Sequence, residues 1–503
     1  MMADYYAFPV WIVVTHFLNM LFILFLARSG LEVLSACPKF YWNDHCTPGR
    51  EWLRLTKKRF SADPATPWSS LEEEDSWSPV IALPGRKNLG IGRHWHFMSI
   101  QFWILNGAVY IALLFASGYY RTIVPTTWAI FPDALRAIGD YLQLRLPPAQ
   151  PGLPFNAAQQ LAYFAVIFLL APLQILTGAA MSPAVIGRFP GYAQLFGGKQ
   201  RARSLHFIGL CLFAGFIVMH TVMVIINGLP NLWTVMVLGH REHPPYTDQG
   251  LAVAIGLTGL FGILLLNVVA TLVSLRYRRF VQRSLGIVVD PFERLLSRAF
   301  ISRQHYAWAD VSPYHRVNGY PPPDDDYRAL AANGFSEYRL EVTGLVEHPL
   351  RLTLDELRAL GWTSQIVKHN CIQGWSAVAQ WGGVPLARIV EAAKPRPAAR
   401  YLAFYAFDDK PVTENEGRSG YFYGIIPLYL AFKPQTILAL EMNDEPLPVE
   451  HGAPVRLRIE TQLGFKMVKW VRAVEFVEDY AAIGQGQGGW REDQQYYANA
   501  AGI

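Results

Sequence analysis

Histidines in apolar segments are the first residues of this chain whose types and spacing could do chemistry. His206 and His220 lie fourteen residues apart in one apolar run. On an α-helix this spacing puts them within about 40° of the same face and roughly 21 Å apart along the axis. Ionisable side chains are costly inside a bilayer, so they usually serve a function there. The spacing suits two metal centres stacked across a membrane.

Two further apolar segments carry histidines at matching depths. His16 lies in the first segment, and His94 and His96 lie at the entry to the second. If the helices run antiparallel, His96 reaches the level of His206, and His16 reaches the level of His220. Each level then holds two imidazoles, as bis-histidine ligation of haem b requires. We predict two b haems with these axial pairs; alternatively, His94 is the ligand and His96 lies near a propionate.

A cysteine in a distinctive run is the second candidate for chemistry. Cys371 lies in His369-Asn370-Cys371-Ile372-Gln373-Gly374-Trp375-Ser376, and Trp381-Gly382-Gly383-Val384-Pro385-Leu386 follows shortly after. A thiolate is a ligand that soft or high-valent metals accept. A lone buried cysteine is more often structural. The flanking glycines and tryptophans are what favour a functional role for Cys371.

Residues 439–470, ALEMNDEPLPVEHGAPVRLRIETQLGFKMVKW, could bind a phosphate. Arg456 offers a planar guanidinium that is always charged. Gly464-Phe465-Lys466 and Met467-Val468-Lys469 add backbone N–H groups and two lysines. The simpler interpretation of Arg456 is a solvated strand residue.

Together these two blocks resemble the sulfite-oxidase-like molybdopterin family, whose bacterial members include periplasmic methionine-sulfoxide reductases. The resemblance implies that Cys371 binds molybdenum. True sulfite oxidases follow the cysteine with a Gly-Asn-Arg-Arg type run, whereas Ile372-Gln373-Gly374-Trp375 is typical of the reductase-like branch. The residues that the resemblance assigns to the pterin cofactor are Asn318, His451, Arg456, Lys466, Met467, Val468 and Lys469.

The N-terminal half resembles another family over roughly residues 8–240. Arg203-Ser204-Leu205-His206, the step to His220 and Phe155-Asn156-Ala157-Ala158-Gln159-Gln160 are similar to the di-haem cytochrome b subunits of formate dehydrogenases and nickel–iron hydrogenases. In that family the second-span ligand opens its helix, which fits His96 better than His94. The first loop is much longer here.

The composition agrees with a membrane protein. Only 17% of the 503 residues are charged, against about 25% in a soluble domain. The small net charge of +5, with no basic run, gives no reason to expect a nucleic-acid partner. Five apolar stretches approach the roughly 20 residues that cross a bilayer. They lie near 8–27, 97–118, 157–181, 204–226 and 250–275.

The period of the pattern changes after the last span. Residues 339–343 and 455–460 alternate polar and apolar side chains, as half-buried strands do, and Thr353 with Glu356 forms a capping box. We therefore predict a multidomain chain: an all-α transmembrane bundle followed by a soluble α+β domain of the sulfite-oxidase type. The predicted segments are 1–276 (five-span di-haem cytochrome b), 277–335 (connector), 336–480 (molybdopterin domain) and 481–503 (flexible glycine-rich tail).

Lys and Arg in short loops indicate the orientation of the spans. The basic residues on one side outnumber those of the opposite loops, Arg241 among them; they are Arg188, Lys199, Arg201, Arg203, Arg276, Arg278, Arg279 and Arg283. We expect the N-terminus outside and the molybdenum domain in the cytoplasm of a bacterial inner membrane, with a periplasmic domain as the alternative. Cys37 and Cys46 share a loop and are expected to be free thiols.

The resulting prediction is a molybdenum-dependent oxidoreductase. Quinol oxidation would feed the reduction of a small-molecule S-oxide or N-oxide, with lipid and the quinone pool as further partners. The alternatives are the reverse flow, from sulfite or a related oxyanion to quinone, and an electron-transfer subunit that does no chemistry itself. The sequence leaves the substrate, the quinone site and the oligomeric state open.

Overall fold

The computed structural model describes residues 8–61, 68–151, 153, 155–226, 230, 233–238, 248–298, 303–409, 420–499 and 501. Arg241, one of the basic residues compared above to predict the orientation of the spans, lies outside these ranges. The N-terminal part is helical because long runs of Leu, Ile, Val and Phe leave helix as the structure that satisfies its own backbone in lipid. Its helices are α1 (Val10–Ser35), α2 (Leu89–Ala116), α3 (Tyr120–Ile123), α4 (Ile130–Leu142), α5 (Ala157–Phe164), α6 (Ala171–Ala179), α7 (Pro183–Arg188), α8 (Pro190–Gln194), α9 (Lys199–Ile226), α10 (Gln249–Arg276) and α11 (Arg278–Arg298).

Five of these segments are long and apolar enough to cross a membrane. They are α1, α2, the continuous segment from α5 through a π-helical turn at Ala165–Leu170 into α6, α9 and α10. The predicted spans are confirmed, although α1 and α2 extend further towards the loop between them. Because successive spans alternate in direction, the N-terminus of α1 and the soluble domain lie at opposite ends of the bundle.

The soluble domain contains two five-stranded sheets and short helices, which confirms the α+β prediction. One sheet has the order β10-β9-β6-β5, with β11 also paired to β9; the other has the order β4-β3-β12-β7-β8. The capping box of Thr353 and Glu356 opens a helix as expected. The strands outside the first loop are β3 (Leu340–Gly344), β4 (Leu350–Leu352), β5 (Thr363–Asn370), β6 (Ser376–Pro385), β7 (Tyr401–Asp409), β8 (Tyr421–Pro427), β9 (Thr436–Met442), β10 (Glu445–Pro446), β11 (Arg456–Ile459) and β12 (Val471–Val477). The helices are α12 (Asp325–Ala332), α13 (Leu354–Ala359), α14 (Leu386–Ala393) and α15 (Trp490–Gln495).

The C-terminal segment corrects one prediction, because residues 481–499 are packed and do not form a flexible tail. Trp490 is 2% exposed, and the buried carboxylate of Glu492 forms an ion pair with Lys466. The backbone N–H groups of Gln485 and Gln487 donate to the carboxylate of Asp493 at 2.8 and 3.2 Å. The glycine-rich run therefore forms tight turns that close over buried charges.

The long first loop, residues 36–88, joins α1 to α2 and packs against the soluble domain. It contains a short hairpin, β1 (Lys39–Phe40) with β2 (Leu53–Arg54). Cys37 and Cys46 are buried free thiols, as expected, and pack in one cluster with Cys371. Asp44 forms an ion pair with Lys368 of β5 at 2.8 Å. The extra length of this loop thus covers the cysteine of the soluble domain.

Candidate molybdenum and haem sites

The histidine pair nearer the soluble domain consists of His96 on α2 and His206 on α9, which are close enough to interact electrostatically. We call it the near pair. Thr177 Oγ1 donates to the carbonyl of Leu173 at 2.7 Å and lies 3.0 Å from His206 Nδ1. Because Thr177 already donates its hydroxyl proton to Leu173 O, its oxygen accepts a hydrogen bond from His206 Nδ1–H. This tautomer leaves the lone pair of Nε2 for a metal.

His96 is held in the same manner from another span. Ser29 Oγ donates to Leu26 O at 3.3 Å and lies 3.1 Å from His96 Nδ1. Each hydroxyl is followed by a glycine, Gly30 or Gly178, and a Cβ added there would stand 3.5 Å from the ring's Cε1. Sequence reasoning missed both hydroxyls; the Ser-Gly and Thr-Gly dipeptides within apolar spans were the available signal.

The far pair consists of His16 on α1 and His220 on α9, with ring centroids 6.3 Å apart. A metal–nitrogen bond of about 2 Å to each ring would separate the centroids by roughly this amount. His220 stacks on Phe216 at 5.7 Å and meets Tyr163 edge to face at 6.0 Å. The far pair therefore has a ring separation that suits bis-histidine ligation of haem.

His94 faces away from the near pair. Its Nδ1 lies 2.8 Å from the carbonyl of Gly90. The ring lines a small cavity between α2, α11 and the soluble domain, together with Glu293 and Tyr497. Burial raises the pKa of Glu293 to about 8, against the opposing charge of Arg93. Of the two alternatives, the geometry favours His96 as the axial ligand.

Cys371 follows the last residue of β5 and is 4% exposed. A tight turn holds it, in which Gly374 N donates to Cys371 O and Cys371 N donates to Trp375 O, both at 3.1 Å. Its sulfur lies 3.7 Å from Asn318 Nδ2 and 3.5 Å from Gln373 Oε1. The predicted pterin contact Asn318 is thus brought to the predicted molybdenum ligand from 53 residues away in the chain.

The buried surroundings of the Cys371 thiol oppose its ionisation. Burial raises the pKa of Cys371 to about 12, while a backbone hydrogen bond at Gln373 and the charge of Lys199 act in the opposite direction. A thiol with such a pKa stays protonated near neutral pH, whereas a metal ion displaces the proton. The site therefore suits a buried thiolate ligand and not a free nucleophile.

Buried cations gather beside this thiol around Trp381. Arg456 and Arg458 lie over its ring at 5.0 and 4.3 Å, and His315 meets it at 5.6 Å. Arg458 is paired with Glu460 at 2.6 Å. Within the described ranges, Arg456 Nε, Arg458 Nε and Trp381 Nε1 are buried donors without a hydrogen-bond acceptor. Buried donors require acceptors, so this cluster fits an anionic, acceptor-rich group such as the pterin phosphate.

The remaining predicted contacts divide into three groups. His451 lies in the cluster, with its ring 5.2 Å from His315 and its carbonyl accepting from Arg456 at 2.9 Å. Lys469 Nζ donates to Asn318 O at 2.6 Å and to Glu450 O at 2.8 Å, which fixes the connector against the domain. Met467 and Val468 are buried core residues, and Val468 O accepts from Leu457 N of β11 at 2.8 Å.

The structure corrects the prediction that the side chain of Lys466 contacts the cofactor. Its ammonium is 1% exposed and donates to Glu492, to Gly488 O at 3.0 Å and to Asn499 Oδ1 at 2.7 Å. All three acceptors belong to the C-terminal segment, so the charge of Lys466 is neutralised there. The side chain closes the domain and does not face the buried cations around Trp381.

Residues in the first turn of α9 donate hydrogen bonds to the loop that carries Cys371. Lys199 Nζ donates to Asn370 Oδ1 at 3.0 Å, and Gln200 Nε2 donates to Gly374 O and Ser376 Oγ at 2.9 and 3.0 Å. The sequence pattern gave no signal for these contacts, because they join residues more than 170 positions apart. The helix that carries two of the predicted histidine ligands thus abuts the predicted molybdenum ligand.

Comparison with known families agrees with this division. Residues 7–239 match the family model of prokaryotic cytochrome b561. Residues 329–482 match that of the oxidoreductase molybdopterin binding domain. The chain therefore joins a cytochrome b561-type membrane domain to a sulfite-oxidase-like molybdopterin-binding domain.

Two relatives and one solved structure each match part of this chain. A subunit named for protein-methionine-sulfoxide reductase, YedZ1 of Azospira oryzae, is 36% identical over 173 residues, 34% of this chain and 58% of that protein. The protein-methionine-sulfoxide reductase catalytic subunit MsrP of Gluconobacter oxydans is 34% identical over 149 residues, 28% of this chain and 47% of that protein. The chain thus spans about half the length of these relatives. The sulfane dehydrogenase SoxCD of Paracoccus pantotrophus is 25% identical over 31% of this chain and 40% of its own, with a TM-score of 0.26.

Proposed function

We propose that this protein is a membrane-bound, molybdopterin-dependent oxidoreductase that passes electrons from quinol through two b haems to an S-oxide. The observation that carries the proposal is the contact between α9 and the Cys371 loop. Lys199 binds Asn370, and His206 lies seven residues further along the same helix, about 10 Å away along the axis. One rigid helix therefore connects the near pair to the predicted molybdenum ligand.

The overall reaction balances with this arrangement. Quinol releases two electrons and two protons, and an S-oxide consumes two electrons and two protons to give a thioether and water. When bound, the molybdenum cofactor supplies the oxo-transfer chemistry, and the protein orients the groups and sets the electrostatics. Cys371 would anchor the metal, while Arg456 and His451 would hold the anionic part of the cofactor. Two haems would carry the two electrons one at a time.

The order of carriers follows from the two levels of histidines. The near pair abuts the soluble domain, so the far pair, about 21 Å away along α9, would accept electrons first. Quinol would therefore be oxidised at the end of the bundle opposite the soluble domain. The two haems together would carry electrons from the quinol end of the bundle to the soluble domain, a distance that one haem alone would not span.

The relatives bear on the substrate. Both reductases reported above are named for methionine sulfoxide in proteins, which favours a sulfur substrate over an N-oxide. We therefore propose methionine sulfoxide as the S-oxide, free or within a peptide.

A substrate screen tests this function directly. Purified protein with quinol-reduced haems would be mixed anaerobically with free methionine sulfoxide, a methionine-sulfoxide peptide, dimethyl sulfoxide, trimethylamine N-oxide or sulfite. We expect rapid haem reoxidation with at least one sulfoxide, and product analysis should show the thioether. Reduction of oxidised haems by sulfite, without reoxidation by any sulfoxide, would establish the reverse flow and contradict the proposal.

The side of the membrane is a further part of the proposal. Arg188, Arg201 and Arg276 lie at span ends on the same side as the soluble domain, and the positive-inside rule places such ends in the cytoplasm. We propose a cytoplasmic molybdenum domain. A C-terminal fusion to green fluorescent protein should be fluorescent, and one to alkaline phosphatase inactive. The opposite pair of results would place the domain in the periplasm.

A further inference from the structure

A buried ammonium from the membrane domain reaches the molybdenum site. Lys199 is the first residue of α9 and is 4% exposed. Its Nζ donates to Asn370 Oδ1 at 3.0 Å, and Asn370 directly precedes Cys371. The side chain thus crosses from a transmembrane helix into the soluble domain, beside the predicted metal ligand.

Within the described residues Lys199 forms no close ion pair, although the carboxylate of Asp44 attracts its ammonium from nearby. The nearby carboxylate of Asp44 is bound to Lys368 at 2.8 Å and also accepts from Gln200 N at 2.8 Å. An ammonium has three donors, and the acceptor recorded for Lys199 is one neutral amide oxygen. A buried cation is costly unless an anion accompanies it. The position can therefore accommodate further negative charge beside the ammonium.

Three other buried cations nearby are each paired with a carboxylate, whereas Lys199, like Arg203 and Arg456, is bound to a neutral oxygen. Lys368 has Asp44, Lys466 has Glu492, and Arg458 has Glu460. Asn370, which accepts from Lys199, directly precedes Cys371, so the ammonium lies beside the predicted metal ligand. A close anion for Lys199 is thus to be sought at the metal that Cys371 would bind.

We propose that Lys199 is a positioning residue of the molybdenum site contributed by the membrane domain, and that its ammonium stabilises the negative charge on the ligands of the reduced metal. This inference rests on the proposed function for its direction of electron flow. Each electron that arrives from the near pair adds negative charge at the metal, and a fixed cation in a buried site favours that step. Lys199 would therefore raise the midpoint potentials of molybdenum.

Three variants separate charge from packing. Lys199→Met keeps the length of the side chain without the charge, and Lys199→Arg restores the charge. Gln200→Met is the matched control, since it removes the neighbouring hydrogen bonds to Gly374 and Ser376 without altering charge. Each full-length holoprotein would be titrated redox-potentiometrically, with Mo(V) followed by electron paramagnetic resonance and the haems by optical spectra. Metal and haem contents would be measured in parallel.

We expect lower molybdenum midpoint potentials and an altered Mo(V) signal in Lys199→Met, with normal haem potentials. Lys199→Arg should restore much of the difference, and Gln200→Met should leave the potentials unchanged. An unchanged Mo(V) signal and unchanged potentials in Lys199→Met would overturn the proposal. So would a shift confined to a haem, which would assign the ammonium to a propionate, or an equal shift in Gln200→Met.

A second variant covers the case in which Lys199→Met does not fold. Asn370→Asp would place a carboxylate 3.0 Å from the ammonium and neutralise it where it stands. It should lower the molybdenum potentials as well, and no fall would contradict the role of Lys199. Because no substrate enters this titration, its result does not depend on whether sulfoxides are reduced. Failure of the inference and failure of the proposed function can therefore be told apart.

Discussion

The near and far histidine pairs each place one histidine on α9 but differ in what surrounds them. Ser29 and Thr177 fix the Nδ1 atoms of His96 and His206, and α9 continues from His206 to the Cys371 loop. The far pair is surrounded instead by aromatic rings, among them Phe216 and Tyr163 against His220. The difference suggests that a centre beside the molybdenum site is held rigidly, whereas the centre nearer the quinol is bounded by apolar groups.

The largest effect is expected where the near pair meets the soluble domain. Cys371→Ser should abolish substrate turnover, because the thiolate is the proposed protein ligand of the metal, while quinol should still reduce both haems. Stopped-flow spectra of haem reduction and reoxidation would separate the two steps. Near-native turnover in the serine variant would show that Cys371 is not the essential ligand.

The next effect distinguishes the two pairs directly. His220→Ala should remove the far haem and leave the near haem, so that quinol no longer reduces the protein efficiently. His206→Ala should remove the near haem, and quinol should then reduce a far haem that substrate cannot reoxidise. Pyridine haemochrome assays would count the haems. If both variants kept two haems, the axial pairs would be wrongly assigned.

A smaller effect is expected in the soluble domain alone. Lys466→Met would leave Glu492 buried without its cation, at a cost of about 3–5 kcal/mol to the stability of that domain. We expect molybdenum content and the thermal transition of the domain to fall while both haem spectra persist. Glu492→Gln in the same background should recover part of the loss. A stability equal to that of the parent protein would contradict the buried ion pair.

The smallest effect concerns the hydroxyl groups of the near pair. Thr177→Val removes the acceptor of His206 Nδ1–H, which makes the imidazole a poorer donor to ferric iron. The near haem should therefore become easier to reduce, by about 1 kcal/mol or roughly 40 mV for one electron. Potentiometric titration should show no change at the far haem. An equal shift of both haems would show that the two levels are not independent.

The sequence permitted a large part of this description. A fourteen-residue step on one helix sets both angle and depth by helix geometry alone, so His206 and His220 could be assigned to two levels before any fold was known. The alternating segments predicted β3 and β11 in the same way. Local periodicity is carried by neighbouring residues, and it therefore survives without tertiary information.

Two predictions went wrong for a shared reason. Lys466 was taken for a cofactor contact and residues 481–503 for a flexible tail, yet Lys466 and Glu492 are buried against each other. Neither residue reveals its partner in the sequence, since a lysine and a glutamate 26 positions apart form an ion pair only when the chain returns to bring them together. Glycine-rich composition alone does not distinguish a tight turn from a mobile end.

What the sequence determined by itself is the set of elements and the types of ligand: five spans, a mixed soluble domain, four histidines spaced for two depths and one cysteine in a distinctive run. The tertiary structure alone decided which groups meet. It brought Lys199 to Asn370 and Asn318 to Cys371, and it oriented His94 away from His206. The physical reason is that ligand type follows from the side chain, whereas its partners depend on long-range packing, which leaves no periodic trace in the chain.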